Sequence, residues 1–164
     1  MKNISISLLL LALLFTGGCK TAPKEFKLVF TMESMNIYKL SVEINNDKSY
    51  HIQQQNQFFD TFAKKGQINH SDGKLSDEEY NELIRLIGGN WLFNMKDTYG
   101  FSSSSDSVKS PSPLGNLFYH LDYTENNKSK YILIRPNLSS DDNPKDLLRL
   151  IKFLNDFSSA HLKK

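Results

Sequence analysis

The chain has 164 residues, of which 39% are hydrophobic and 23% charged, and its formal net charge is +2 at neutral pH. That length suits one domain with a sizeable core. Lysines and acids are interspersed without a basic block, which argues against nucleic acid as a partner. Cys19 is the single cysteine, so an internal disulfide is excluded.

The chain opens MKNISISLLLLALLFTGGCK. Lys2 supplies a short positive region, Ile6 to Phe15 is an apolar run broken by Ser7, and Thr16, Gly17 and Gly18 are small residues leading into Cys19. Charge, then apolar run, then small residues is the order of a secretory signal peptide. The run is too short for a membrane-spanning helix, which takes about 20 apolar residues. Residues 14 to 19 resemble the lipobox of bacterial lipoproteins, with Thr16 where that pattern most often has Leu. The resemblance implies cleavage after residue 18 and lipidation of Cys19. Acyl chains bury roughly 0.8 kcal/mol per CH₂, so several of them anchor a protein firmly. By the same resemblance, Lys20 in place of an Asp after the Cys favours the outer membrane. Residues 20–24 then read as a tether, and 25–164 as the folded domain.

The first elements alternate. Phe26, Leu28, Phe30 and Met32 share one face, as do Tyr38, Leu40, Val42 and Ile44, and then Tyr50 and Ile52. Period-two patterning of this kind predicts half-buried strands, and the turn residues Asn45 to Lys48 make the second and third a hairpin. Gln53 to Gln57 is a polar run that reads as a solvated strand end or as an exposed edge able to accept a partner strand. Phe58, Phe59 and Phe62 either extend a strand or form one helical turn, and Lys64-Lys65-Gly66 reads as a turn. Asp72-Gly73 also has turn chemistry. Ser76 with Glu79 three residues on is a capping box, and Leu75 with Tyr80 suits a hydrophobic staple. Tyr80, Leu83, Ile84 and Ile87 then fall on one helical face, which Gly88-Gly89 ends.

Trp91-Leu92-Phe93 is a short apolar segment. Residues 99–113 (YGFSSSSDSVKSPSP) form a Ser-rich loop, either a contact surface or a mobile connection. Leu117, Tyr119, Leu121 and Tyr123 resume the alternation, Glu125 to Lys128 turns the chain, and YILIRP returns it. Asn143 as N-cap with Pro144 at the first helical position starts a last helix, with its stripe at Leu147, Leu150, Ile151, Leu154 and Phe157 and widened by Leu148 and Phe153. The order β-β-β-α-(β)-loop-β-β-α predicts an α+β domain. Its antiparallel sheet should have about five to six strands, with both helices on one face.

Chemistry is less visible. The stretch from Asn69 to Glu79 looks like half of a calcium loop. With Gly73 as its sixth residue, Glu79 falls at the twelfth, but Ile68 and His70 fall where oxygen ligands are needed. Ile offers no ligand and His is a soft donor ill-suited to calcium. His51, His70, His120 and His161 show no metal-motif spacing, and His51 and His120 lie on outward strand faces. No Gly-rich phosphate loop follows a strand, there is no G-x-S-x-G elbow, and Ser71-x-x-Lys74 is a bare tetrapeptide that reads as a turn. No catalytic residue, metal ligand or cofactor site is therefore assigned.

The mature order can be compared as a whole. I-Y-x-L-x-V-x-I leads to D-G-K-L-S and D-E-E-Y-x-E-L-I; then come W-L-F-N-M-K-D-T-Y-G, two strands and P-x-D-L-L-R-L-I. This resembles a group of small domains of unknown function in lipoproteins of Bacteroidetes-type bacteria. Where many of them carry Cys-Pro-x-Tyr, this chain has Met35-Asn36-Ile37-Tyr38. The resemblance implies a cell-envelope lipoprotein and brings no activity with it. The sequence thus leads to the expectation of a non-enzymatic lipoprotein, anchored to the bilayer through Cys19, that binds a protein or envelope ligand. The alternatives are a periplasmic inhibitor or immunity protein acting on a hydrolase or toxin, and a hydrolase with an unrecognised site.

Overall fold

A computed structural model describes residues 25–34, 38–56, 67–100, 117–135 and 143–162. Within them run β1 (Phe26–Ser34), β2 (Tyr38–Asn45), β3 (Ser49–Asn56), β4 (Gln67–Lys74), α1 (Asp77–Ile87), β5 (Thr98–Tyr99), β6 (Leu117–Glu125), β7 (Lys128–Ile134) and α2 (Lys145–His161). The strands form one 7-stranded sheet in the order β4-β3-β2-β1-β6-β7-β5. Neighbours are antiparallel except β5, which lies parallel to β7. The class is α+β, as the alternation implied, but the sheet is mixed and has more strands than expected.

Register explains the core. Residues directly opposite in a ladder share a face. Leu28 lies opposite both Ile44 and Tyr123, Val42 opposite Ile52, and Leu121 opposite both Phe30 and Ile132. All of these are buried, and they form one cluster with Leu83, Ile84 and Ile87 of α1 and Leu147, Leu150, Leu154 and Phe157 of α2. Both helices therefore cover the same face. The other face presents Lys27, Thr31, Glu43, His51, His70, Asp72 and His120, and no helix among the described residues covers it.

Local chemistry sets the ends of the elements. The capping box is complete: Glu79 N–H donates to Ser76 Oγ at 3.2 Å, and Ser76 N–H donates to Glu79 Oε2 at 2.8 Å. Helix α1 ends where Gly88 N–H donates to Ile84 O, and Gly89 follows with φ +87°, a conformation glycine takes without strain. At the β6–β7 turn Asn126 and Asn127 both have positive φ, as a tight primed hairpin turn requires. Helix α2 starts one residue later than expected. Pro144 is its N-cap, and Leu148 N–H donates back to Pro144 O.

Three expectations are corrected. Asp72-Gly73 is not a turn: β4 runs through it, with Gly73 opposite Tyr50 and Asp72 opposite His51. The reason is packing, because a Cβ on Gly73 would lie 2.6 Å from Tyr50 Oη and 2.7 Å from its Cζ. Gln53 to Asn56 are no sheet edge either, since β4 pairs with them and is itself the outer strand. The Ser-rich loop was expected to begin at Tyr99. That residue belongs instead to β5, with Leu133 N–H donating to Asp97 O and Arg135 N–H donating to Tyr99 O. Gly100 ends this strand with φ +76°, and Arg135 O occupies the place of any Cβ. Trp91 to Phe93 form a turn that buries Leu92, while Trp91 Nε1 donates to Leu86 O. Phe58, Phe59, Phe62, the 64–66 turn and the loop from residue 101 lie outside the described residues.

Tyr50 cannot easily yield to a larger residue at 73, because its ring stands edge-on to Phe157 and its hydroxyl is bonded to His161. Gly73→Ala is expected to destabilise the fold by about 1–3 kcal/mol, the usual range for overpacking. Urea unfolding should show this penalty in the parent chain and lose most of it in a Tyr50→Leu background. An equal penalty in both backgrounds would remove Tyr50 as the cause.

Candidate functional site

The covered face changes character along its strands. Its row Ile44, Tyr50, Gly73 is mainly apolar, and its next row is Val42, Ile52, Ser71. One step further on the same face the row runs Met32, Leu40, Gln54, Asn69. Two carboxamides thus replace the apolar residues that would seal the core. Above them lies the C-terminal half of α2. Together Met32, Tyr38, Leu40, Gln54 and Asn69 from the sheet, and Asn155, Ser158, Ser159 and Leu162 from the helix end, enclose a pocket of about 400 Å³. That volume lies within the range of small-ligand sites.

The polar groups of the pocket are specific. Asn69 Nδ2 donates to Gln54 Oε1 at 3.4 Å. Both serine hydroxyls donate to Asn155 O at 2.9 Å, which leaves their oxygen lone pairs as acceptors. Asn155 Oδ1 is buried with no hydrogen-bond partner among the described residues. Buried polar side-chain atoms are paired in the large majority of cases, so this one stands out. In either orientation of the amide, one polar atom of Asn155 sits in that position. Burial raises the pKa of the Tyr38 hydroxyl, and a side-chain bond to Gln54 only partly offsets it. Tyr38 is therefore neutral, and the described residues of the lining include no charged side chain. A second hollow, of about 350 Å³, lies between the two hairpin turns at the other end of the sheet, and Glu25 and Lys27 make it a charged one.

His161 holds the helix wall of the pocket in place. Its Nε2 lies 2.8 Å from Glu79 Oε1 and its Nδ1 lies 3.1 Å from Tyr50 Oη. An ionised carboxylate only accepts, so Nε2 donates, and in the neutral ring Nδ1 accepts from the Tyr50 hydroxyl. Burial works against ionisation of Glu79, but its bonds to His161 and to the Ser76 backbone and hydroxyl outweigh that and hold its pKa below the usual glutamate value. One carboxylate thus caps α1 and ties it to the last turn of α2.

The residues weighed in the sequence fall elsewhere. Cys19 lies outside the described residues. Ile68, His70 and Asp72, candidates for calcium-loop positions, lie in β4 and leave it on one face, but at about 7 Å spacing along an extended strand they do not wrap around an ion as a loop does. Asp72 instead bonds His51 Nδ1 at 2.5 Å. Ser71 and Lys74 lie in the same strand and point to opposite faces. His51 and His120 are on the outward face, as alternation implied. His120 bridges three strands: its Nε2 lies 3.1 Å from Glu33 Oε1 and its Nδ1 2.5 Å from Tyr131 Oη. Burial, then the charges of Asp122 and Glu33, raise the Tyr131 pKa. The His120 contacts tie β6 to both of its neighbours, β1 and β7. Among the described residues no group of three His, Cys, Asp or Glu side chains is placed to hold a metal.

Sequence reasoning missed the pocket, although two signals existed. Gln54 breaks the alternation begun by Tyr50 and Ile52. Asn155 is a poor helix-interior residue beside the apolar positions Leu154 and Phe157. No protein-family model matches this sequence, and no curated protein matches it either.

The Glu79 contacts give a pH signature. The unfolded chain protonates this group near 4.5, and the folded chain does so lower. Its stabilising contribution is therefore complete above pH 4.5 and is lost as pH falls through the folded-state pKa. Glu79→Gln should be less stable than the parent near neutral pH, with the gap closing as the solution is acidified below 4.5. Unfolding midpoints in a pH series measure this. A gap that persists unchanged into acid would exclude the ionised carboxylate as its source.

Proposed function

We propose that this chain is a lipid-anchored lipoprotein of the cell envelope whose α+β domain is a non-enzymatic binding module. The observation that carries the binding reading is the pocket under α2, whose described lining residues are uncharged and include the unpartnered Asn155 Oδ1. Among the described residues of its lining there is no His, Asp, Glu, Lys or Arg side chain. Ser158 and Ser159 donate to a helix carbonyl, with no base beside them among the described residues of the lining. Such a lining suits holding a ligand better than transforming one. The order of charge, apolar run and small residues ending at Cys19 supports the anchor, with the outer membrane as the address. No helix among the described residues is long and apolar enough to cross a membrane, so acylation of Cys19 is the attachment proposed.

A second reading has its own support. β4 is an outer strand whose Ile68 is 52% exposed, and its far edge is open among the described residues. An extended segment of a protein could add to that edge, as an inhibitor or immunity protein acting on a hydrolase or toxin would use it.

Two measurements test these readings together. The parent chain should incorporate a clickable palmitate analogue in a bacterial host, and Cys19→Ala should not; label retained by the variant would end the lipoprotein reading. An NMR screen of uncharged small molecules should then shift the resonances of Tyr38, Gln54, Asn69 and Asn155. Shifts confined to Ile68–Lys74 on addition of extended peptides, with the pocket silent, would favour the second reading.

A further inference from the structure

We infer that the pocket under the last turns of α2 takes a neutral saccharide unit, held through its hydroxyl groups. This rests on the binding-module reading and names the chemical class of its ligand.

The first reason is charge. Met32, Leu40 and Leu162 are apolar, Gln54, Asn69 and Asn155 are carboxamides, and Tyr38, Ser158 and Ser159 carry hydroxyls. A ligand with a carboxylate, phosphate or ammonium would leave water for a site whose described residues offer no counter-charge, at a penalty that a neutral ligand does not meet. The second reason is hydrogen-bond type. A carboxamide offers an acceptor and two donors side by side, and neighbouring hydroxyls on a sugar ring can donate to one and accept from the other. The serine protons are committed to Asn155 O, so the exposed Ser159 offers an acceptor, which a ligand hydroxyl can fill as donor.

The third reason is Asn155. Its buried polar atom has no partner among the described residues, and a hydroxyl satisfies that atom whichever way the amide is turned. The terminal torsion of Asn is broad, so the amide can rotate to meet a hydroxyl that enters the pocket. The fourth reason is shape. A sugar ring has apolar C–H faces as well as polar edges. Met32 and Leu40 give the floor of the pocket an apolar strip, while Gln54 and Asn69 continue the same row as its polar end.

The test uses the full chain in a detergent without sugar headgroups, titrated with glucose, galactose and N-acetylglucosamine and followed by NMR. At least one neutral sugar should shift Tyr38, Gln54, Asn69 and Asn155, with a dissociation constant in about the millimolar range or tighter. Glucuronate and glucosamine, which carry charge, should bind at least roughly tenfold more weakly than their neutral counterparts. Asn155→Ala and Gln54→Ala should each weaken binding by roughly tenfold, with circular dichroism unchanged. Should one of these variants unfold, Ser159→Ala carries the same test from the other wall.

Silence of the pocket towards all three neutral sugars at about 50 mM, far above a millimolar constant, would overturn the saccharide assignment. If the pocket then responds to another uncharged molecule, the binding module stands and only its ligand class falls. If it responds to none, both fall. Preference for a charged sugar would also overturn the assignment.

Discussion

His161 is the joint on which the arrangement depends. Its ring bonds Glu79, the carboxylate that caps α1, and the hydroxyl of Tyr50, which lies in β3 with its ring against Phe157 of α2. Three elements far apart in sequence meet through one imidazole. The joint also fixes the geometry next to it. His161 and Asn155 belong to the same helix, so pinning its last turn to β3 and α1 holds Asn155, Ser158 and Ser159 over the sheet row of Met32, Leu40, Gln54 and Asn69. The Tyr50 ring in turn requires Gly73 opposite it, which is why β4 lies flat against β3 at that point.

The two faces of the sheet then divide the work. One carries the core, in which Phe30, Val42, Ile52, Leu121 and Ile132 are fully or almost fully buried beneath both helices. Each such side chain contributes about 1.5–3 kcal/mol by leaving water. The other carries ion pairs and short polar chains such as Lys27–Glu43 and Glu33–His120–Tyr131. Most of these are at least partly exposed, so they contribute little individually. The pocket lies where the core face runs out of apolar residues, at the end of β1 to β4 farthest from the capped start of α1.

Much of this was legible in the sequence. Phe26, Leu28 and Phe30 alternate, as do Leu40, Val42 and Ile44, and register places them opposite one another as a half-buried sheet requires. Ser76 and Glu79 announce the start of α1, because a cap is local chemistry. β4 was not legible. Its covered-face residues are Asn69, Ser71 and Gly73, with no apolar alternation, and Asp72-Gly73 reads as a turn when the ring of Tyr50 is unknown. β5 was hidden for another reason: two residues cannot show a period, and its pairing with β7 is a long-range matter. The pocket depends on a row across four strands and a helix end, which no local pattern reveals. Only Gln54 and Asn155, as polar residues at apolar positions, pointed towards it.

Placing polar residues where apolar ones would pack is a departure from the best core, of the kind proteins keep where function requires it. Asn155 is the sharpest case, and its replacement is the most direct test of a pocket maintained for a ligand. Asn155→Leu removes the unpartnered buried atom while keeping side-chain size similar. Without ligand it should raise the unfolding free energy by about 1–2 kcal/mol, close to the desolvation penalty of an unsatisfied group. A fall in stability of similar size would show that the Asn155 amide serves the fold itself, and would contradict the account.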